Sequence, residues 1–254
     1  MIATRVMPCL LLKGQGLVKT VRFSQPKYLG DPRNAVKIFN EREVDELVLL
    51  DITATSEKRA PQFKLIEEIV SEAFMPVAYG GGLRTLDDIK RVLSLGVEKA
   101  VVCTQAIENP AFVEEAARQF GSSTICVCMD VKRRLLGRYE VFSRSGQRGS
   151  GTDPVTFAKR VEALGAGELI VNSIDRDGTM GGYDIELLRS VAAAVDLPVI
   201  ACGGAGSLKD LAHAVHDAHV SAVAAGSLFV FQGRHRAVLI NFPSTLELRQ
   251  ALNQ

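Results

Sequence analysis

Apolar residues fall along this chain in short unbroken runs, and between the runs they recur at helical spacing. Eight runs read as strands: Arg5–Leu12, Glu46–Asp51, Met75–Tyr79, Lys99–Cys103, Thr124–Asp130, Glu168–Asn172, Leu197–Cys202 and Ala222–Ala225. They are continuous rather than alternating, the pattern of strands covered on both faces of a parallel sheet. The segments between them carry helix punctuation. Thr85-Leu86-Asp87-Asp88 and Ser207-Leu208-Lys209-Asp210 read as capping boxes with an acid in place of the usual Glu or Gln. Asp31-Pro32 and Asp153-Pro154 place a cap and a first-turn proline ahead of two further helices. Eight strands alternating with helices in a chain of 254 residues predict an α/β fold, a single (β/α)8 barrel.

An internal repeat favours a closed barrel over an open sheet. With a shift of about 122 positions, Gly81–Asp88 lies on Gly203–Asp210 and Asp45–Val48 on Gly167–Ile170. The chain therefore reads as one domain over 1–254, made of half-barrels about 1–122 and 123–254, because neither half covers its own strand edges. Pro8 cannot donate a ladder bond and is expected to mark a bulge or a local irregularity. Arg133–Thr152, rich in Gly, Ser and Arg, reads as the least ordered stretch, a long excursion between strand and helix.

Composition narrows the function classes. The chain is 47% hydrophobic and 23% charged, with a net charge of +1, which gives no footprint for nucleic acid or an anionic membrane surface. No apolar run is long enough to insert in a membrane, and no basic-then-apolar leader opens the sequence. The five cysteines (Cys9, Cys103, Cys126, Cys128, Cys202) sit in strand-like runs without CxxC spacing. That is the pattern of reduced core thiols in a cytoplasmic protein.

In a (β/α)8 barrel the working groups lie where strands end. Gly80-Gly81-Gly82 follows the third strand and Gly203-Gly204-Ala205-Gly206 the seventh, with Thr104 and Gly226-Ser227 beside them after the fourth and eighth. Bare backbone N–H groups at helix starts suit an anion, so the two turns suggest a ligand with two phosphates spanning the mouth. Tight turns alone are the other reading. The carboxylates at this end are Asp51, Asp130, Asp175 and Asp177. Asp130 ends a buried strand, where desolvation raises a carboxyl pKa toward acid–base use. Asp177-Gly178-Thr179 reads as a turn with the acid on backbone N–H groups. Asp175 and Asp177 lack a third convergent ligand, so no metal is expected, and nothing calls for a cofactor.

Arg5, Glu46, Lys99 and Glu168 stand at the opposite strand ends. They read either as a ring of salt bridges or as four solvated charges. His213, His216 and His219 are spaced i, i+3, i+6 on one helix; His213 and His216 fall off its apolar face and read as solvent-side residues rather than metal ligands. The basic group Lys132, Arg133, Arg134, Arg138, Arg144 and Arg148 suits an anion clamp or a solvated loop equally.

These residues carry a resemblance. Asp45–Ala54 (DELVLLDITA), Gly80–Gly82, Glu108-Asn109-Pro110, Gly165–Glu168, Ser173–Thr179 (SIDRDGT), GGYD ending in Tyr183-Asp184 and Gly203–Gly206 (GGAG) resemble, in order, the cyclase subunit of imidazole glycerol phosphate synthase. The resemblance covers nearly the whole chain. It implies a barrel that takes ammonia from a glutaminase docked on its N-terminal face, past a salt-bridge gate formed by Arg5, Glu46, Lys99 and Glu168. It also implies substrate and phosphate contacts at Lys19, Asp51, Gly81, Gly82, Thr104, Asp177, Gly178, Gly203, Gly204, Gly226 and Ser227, although Gly226 replaces the family's usual Ala.

The departures are at the mouth. The family works with two aspartates as acid and base; here the strand-five acid is Asp130, but the strand-one position is Leu11. A leucine moves no proton, so the ordinary ring-closure and lyase step is expected to lose several orders of magnitude. Cys103 stands for Asn, Asn172 for Thr and Val230 for His. The CLLLK strand and Gly16-Leu17-Val18-Lys19-Thr20 look like a branch associated with glycosyl amidation in surface-polysaccharide gene clusters, whose members work with a glutaminase-like partner and a separate sugar amidotransferase. The expectation is an ammonia-conducting subunit for lipopolysaccharide sugar amidation. A functioning cyclase of histidine biosynthesis is the alternative, and a non-catalytic scaffold whose phosphate sites bias glutaminase activation is the third.

Overall fold

The computed structural model describes residues 4–252. Eight parallel strands close on themselves: β1 (Arg5–Lys13), β2 (Leu47–Asp51), β3 (Val77–Gly80), β4 (Lys99–Val102), β5 (Ile125–Arg133), β6 (Glu168–Ser173), β7 (Val199–Cys202) and β8 (Ala222–Ala225). Each pairs with the next, and the ring closes where Arg5–Pro8 of β1 run beside Ala222–Ala225 of β8. The (β/α)8 barrel predicted from the runs is the fold, and the strand bounds shift by only a few residues.

Two cores follow from strands that are covered on both faces. Outside the sheet, Leu10, Leu12, Leu49, Val102, Val127 and Met129 pack against helices such as Pro32–Glu41, Phe63–Val70 and Ala111–Phe120. Inside, Met7, Val48, Ala78, Val101, Ile170 and Ile200 fill the lumen together with Cys9, Cys126, Cys128 and Cys202. Alternation along β5 sends Cys126, Cys128 and Asp130 inward and Val127 and Met129 outward, since side chains on a strand repeat every second residue. All five cysteines are free thiols.

Both capping boxes form. Thr85 accepts from Asp88 N, whose side chain accepts from Thr85 N, and Ser207 and Asp210 repeat the arrangement. Asp31 and Asp153 cap their helices with proline at the first turn. Each box opens its helix a few residues after a glycine turn.

Two expectations change and one feature is new. Pro8 marks no bulge: it pairs with Ala225 at the end of the ladder to β8, and the ladder to β2 starts at Cys9. A proline at a handover between neighbours breaks no interior run of hydrogen bonds. Arg133–Thr152 is not the irregular stretch expected. Residues Asp130–Arg133 pair with Tyr139–Phe142, so β5 runs on into an antiparallel hairpin over the mouth. A second hairpin, Gly16–Val21 with Ser24–Gly30, follows β1 and is also an addition to the reading. Its polar outer strand lacked the apolar run by which the others were recognised. Among the described residues, no helix is long and apolar enough to cross a membrane.

Candidate active site

Where the strands end, a cavity of about 620 Å³ opens, lined by Lys19, Asp51, Asp130, Asp177, the glycine turns, Thr104 and Ser227, while Asp175, Gly206 and Val230 lie outside its lining. Its two glycine turns face each other across the barrel. Gly81 holds φ +114° and Gly203 φ +81°, and a side chain on either would strike backbone or buried groups. An added Cβ at Gly81 would lie 2.4 Å from Asp51 O, and one at Gly203 would lie 2.6 Å from Asn172 Oδ1. Only glycine fits both turns without strain or collision.

Beside the turns, Thr104 and Ser227 open the short helices Thr104–Glu108 and Ser227–Val230. Ser227 Oγ is buried without a hydrogen-bond partner. Thr104 Oγ1 accepts from Arg144 N at 3.1 Å, and its own proton remains to be donated.

Lys19 lies inside the mouth and is almost fully buried. Its Nζ donates to Asp177 Oδ1 at 2.7 Å and to Thr20 O at 3.1 Å, and Thr20 Oγ1 donates to Asp177 Oδ2 at 3.1 Å. Asp177 thus turns to side chains of the β1 hairpin rather than to the backbone N–H groups expected for it. Burial drives that choice, because a desolvated carboxylate gains more from an ammonium than from amides. The 175–179 turn is held by backbone too: Arg22 N donates to Asp177 O, and Arg236 donates to Gly178 O and Thr179 O.

Asp130 sits where β5 leaves the barrel for its hairpin, with Asn172 directly opposite on β6. Asn172 Nδ2 donates to Asp130 Oδ1 at 2.9 Å, and Cys103 Sγ is 3.6 Å from Oδ2. Burial pushes this carboxyl up to about 6, against the lowering effect of the Asn172 and Cys103 contacts, and Asp177 adds to the rise. An acid poised there can both take and return a proton near neutrality. Leu11 lines the same cavity and faces Leu50 on β2, so no carboxylate stands on β1.

Asp51 is differently placed. It accepts from the N–H groups of Thr53 and Ala54 and from Arg59, whose Nη2 lies 2.7 Å from Oδ2. It therefore braces the 53–59 turn beneath Gly82.

At the N-terminal end the four charges join. Arg5 Nη1 donates to Glu46 at 2.6 Å, Arg5 Nη2 bonds Glu168, and Lys99 Nζ lies 2.9 Å from both Glu46 and Glu168. Glu46 is 4% exposed, so these are not four solvated charges. Burial alone would lower the pKa of Lys99, but hydrogen bonds to Glu46 and Glu168 reverse that and raise it. Arg5 is raised in the same way. The network spans the barrel end from β1 to β2, β4 and β6, with Cys126 of β5 just inside.

His213 and His216 are exposed, as expected, and so is His219. The basic group is mostly paired off: Arg134 with Glu140, Arg133 with Glu186, and Arg144 and Arg148 with Glu108. Arg144 alone of the six lines the cavity. Asp175 accepts from Arg133 N and does not meet Asp177 in a ligand set. Among the described residues, no group of three or more His, Cys, Asp or Glu is arranged to hold a metal ion. The partner that sequence reasoning missed is Asn172. It was noted as a departure, but nothing local shows that its amide holds Asp130.

Facing glycine turns, a buried acid at the mouth and a charge network at the base are thus carried by one closed (β/α)8 barrel. The sequence family described as "Histidine biosynthesis protein" matches residues 5–236. A Pseudomonas aeruginosa protein, provisionally named imidazole glycerol phosphate synthase subunit hisF2, is 49% identical over 248 residues, 98% of this chain and 99% of its own length. A Vibrio vulnificus protein, provisionally named subunit hisF3, is 47% identical over 253 residues, covering 99% of this chain and 97% of that protein. The imidazole glycerol phosphate synthase subunit HisF of Alkaliphilus metalliredigens is 42% identical over 229 residues, 90% of this chain and 91% of that one. The chain belongs to the histidine biosynthesis protein family, among the homologues of HisF.

Proposed function

We propose that this chain is the ammonia-receiving barrel of a glutamine-dependent amidation complex that serves surface-polysaccharide sugars in the cytoplasm. A glutaminase subunit docks on the N-terminal face and releases ammonia there. Arg5, Glu46, Lys99 and Glu168 gate its entry, and it crosses the lumen to the mouth. There the turns at Gly81-Gly82 and Gly203-Gly204, with Thr104, Gly178, Gly226 and Ser227, hold a phosphorylated ligand. Lys19 serves the same end, and a separate sugar amidotransferase takes up the ammonia. The chain acts as one domain over 1–254, with half-barrels about 1–122 and 123–254 each supplying one glycine turn.

The observation that carries this reading is the contrast between the two ends of the barrel. The charge network at the base is complete and the anion-binding turns are open, while the mouth holds one acid-base carboxylate, Asp130, opposite Leu11. The other acids lining that cavity are committed to cations: Asp51 to Arg59, Asp177 to Lys19 and Glu108 to Arg144. Apparatus for moving ammonia and gripping phosphate is kept, and half of a two-carboxylate reaction centre is not. The test is reconstitution with the glutaminase encoded nearest to it. Glutamine hydrolysis stimulated by the barrel, with negligible turnover of the cyclase substrate on ammonium salts, is the expected result. Turnover at the rate of a two-aspartate cyclase would overturn it.

The second reading is a working cyclase of imidazole glycerol phosphate synthase. It is favoured by the 42% identity to a HisF subunit and by the elevated pKa of Asp130, which lets one group act as both acid and base. The same cyclase assay separates the two.

A further inference from the structure

We propose that Asn172 is the positioning residue of Asp130, clamping one carboxylate oxygen so that Oδ2 alone handles the proton. The inference rests on the mouth being the reacting end of the barrel, but its test needs neither substrate nor partner.

The geometry is specific. Asn172 of β6 is in register with Asp130 of β5, and its Nδ2 donates to Oδ1 at 2.9 Å. An ionised carboxylate only accepts, so the amide must turn its NH2 group toward it. That orientation strands Asn172 Oδ1, which is buried with no hydrogen-bond partner. It lies against Gly203, where an added Cβ would come within 2.6 Å of it. A buried acceptor left unpaired is unfavourable, so the local structure forgoes a hydrogen bond to keep the clamp.

The other carboxylate oxygen is held far less firmly. Oδ2 meets Cys103 Sγ at 3.6 Å, and a thiol is a weak donor. The remaining groups facing Asp130 leave it no rival hold. The thiol of Cys128 is neutral, its pKa raised by the Cys103 contact and by burial. Asp177 is negative but bound to Lys19. Leu11 offers no second carboxylate. A proton accepted here must therefore leave through the oxygen that took it up, and the amide decides which oxygen that is.

The clamp also sets the proton affinity. Burial raises the Asp130 pKa, and the Asn172 hydrogen bond is the largest opposing effect. Removing the donor alone must raise the pKa further, because it removes an interaction that is stronger with the ionised form than with the neutral acid.

The experiment is a carbon-13 NMR titration of carboxyl-labelled aspartate in the full chain, with the Asp130 signal assigned by its loss in Asp130→Asn. Asn172→Thr and Asn172→Val have the same shape, and only threonine keeps a donor. The valine variant is expected to titrate about one pH unit above the native midpoint, and the threonine variant within roughly 0.3 of it. A valine midpoint at or below the native one would overturn the proposal. So would equal upward shifts in both variants, which would mean that lost volume and not the hydrogen bond is responsible. If the valine variant does not fold, Asn172→Ala replaces it under the same criteria. Failure of the glutaminase reconstitution would leave this titration untouched.

Discussion

Lys19 Nζ lies 2.7 Å from Asp177 Oδ1, and the space its stem occupies exists because residue 226 is glycine. A methyl group on Gly226 would stand 3.0 Å from Lys19 Cε and 2.9 Å from Cys9 O. The contact with Cys9 O forces the backbone at residue 226 to shift, and the lysine stem beside it must give way as well. Gly226→Ala is therefore expected to displace Lys19 from Asp177 and weaken inorganic phosphate binding about three- to tenfold, a loss near 1 kcal/mol. Lys19→Met should weaken it at least as much. Isothermal titration with phosphate reads both, and unchanged affinity in both variants would remove Lys19 from the anion site.

Asp130 makes stability depend on pH in an unusual direction. Its folded pKa, about 6, is above the ordinary 3.8, so the folded state holds more protons than the unfolded state between those values. Stability from this group is then greatest at low pH and falls as pH rises from about 4 to about 6, by roughly 3 kcal/mol in all. Asp130→Asn carries no such penalty. Urea midpoints should show it more stable than the native chain at pH 7, with the gap narrowing toward pH 4. A gap that widened on acidification would contradict the buried-acid assignment.

The base of the barrel is a test of pairing. Lys99 serves two carboxylates at 2.9 Å each, and Glu46 is deeply buried. Lys99→Met removes a cation and leaves both acids with Arg5 alone. The expected loss is on the order of 2 kcal/mol by chemical denaturation, since truncating one partner strands the other's charge. In a reconstituted complex the same variant should lower transfer of glutamine-derived ammonia relative to glutamine hydrolysis.

Leu11→Asp restores a carboxylate opposite Asp130. If the altered mouth is otherwise competent, cyclase turnover on ammonium salts should rise by about two orders of magnitude over the native chain. No gain would assign the loss to the other changes, Cys103 and Asn172 foremost.

Much of this protein was legible in its residues because the information is local. Continuous apolar runs located all eight strands, since a strand covered on both faces has no polar side to show. The capping boxes at Thr85 and Ser207 and the glycine turns after β3 and β7 were readable as short motifs. Arg5, Glu46, Lys99 and Glu168 could be named from their places at strand starts, but not joined.

What remained hidden depended on closure. The hairpin Ser24–Gly30 has little apolar content, and its order comes from pairing with Gly16–Val21. Asp51 looked like a free mouth carboxylate until Arg59 was found against it. Lys19 and Asp177 are separated by 158 positions, and Asn172 and Asp130 by 42. By itself the sequence determined the barrel, its caps and the set of groups at each end, because periodicity and turn chemistry act over a few residues. Only the tertiary structure decided which charges pair, which acid stays unpaired with a cation, and which oxygen of Asp130 is held. Those outcomes are set by the register between strands and by the water excluded when the barrel closes.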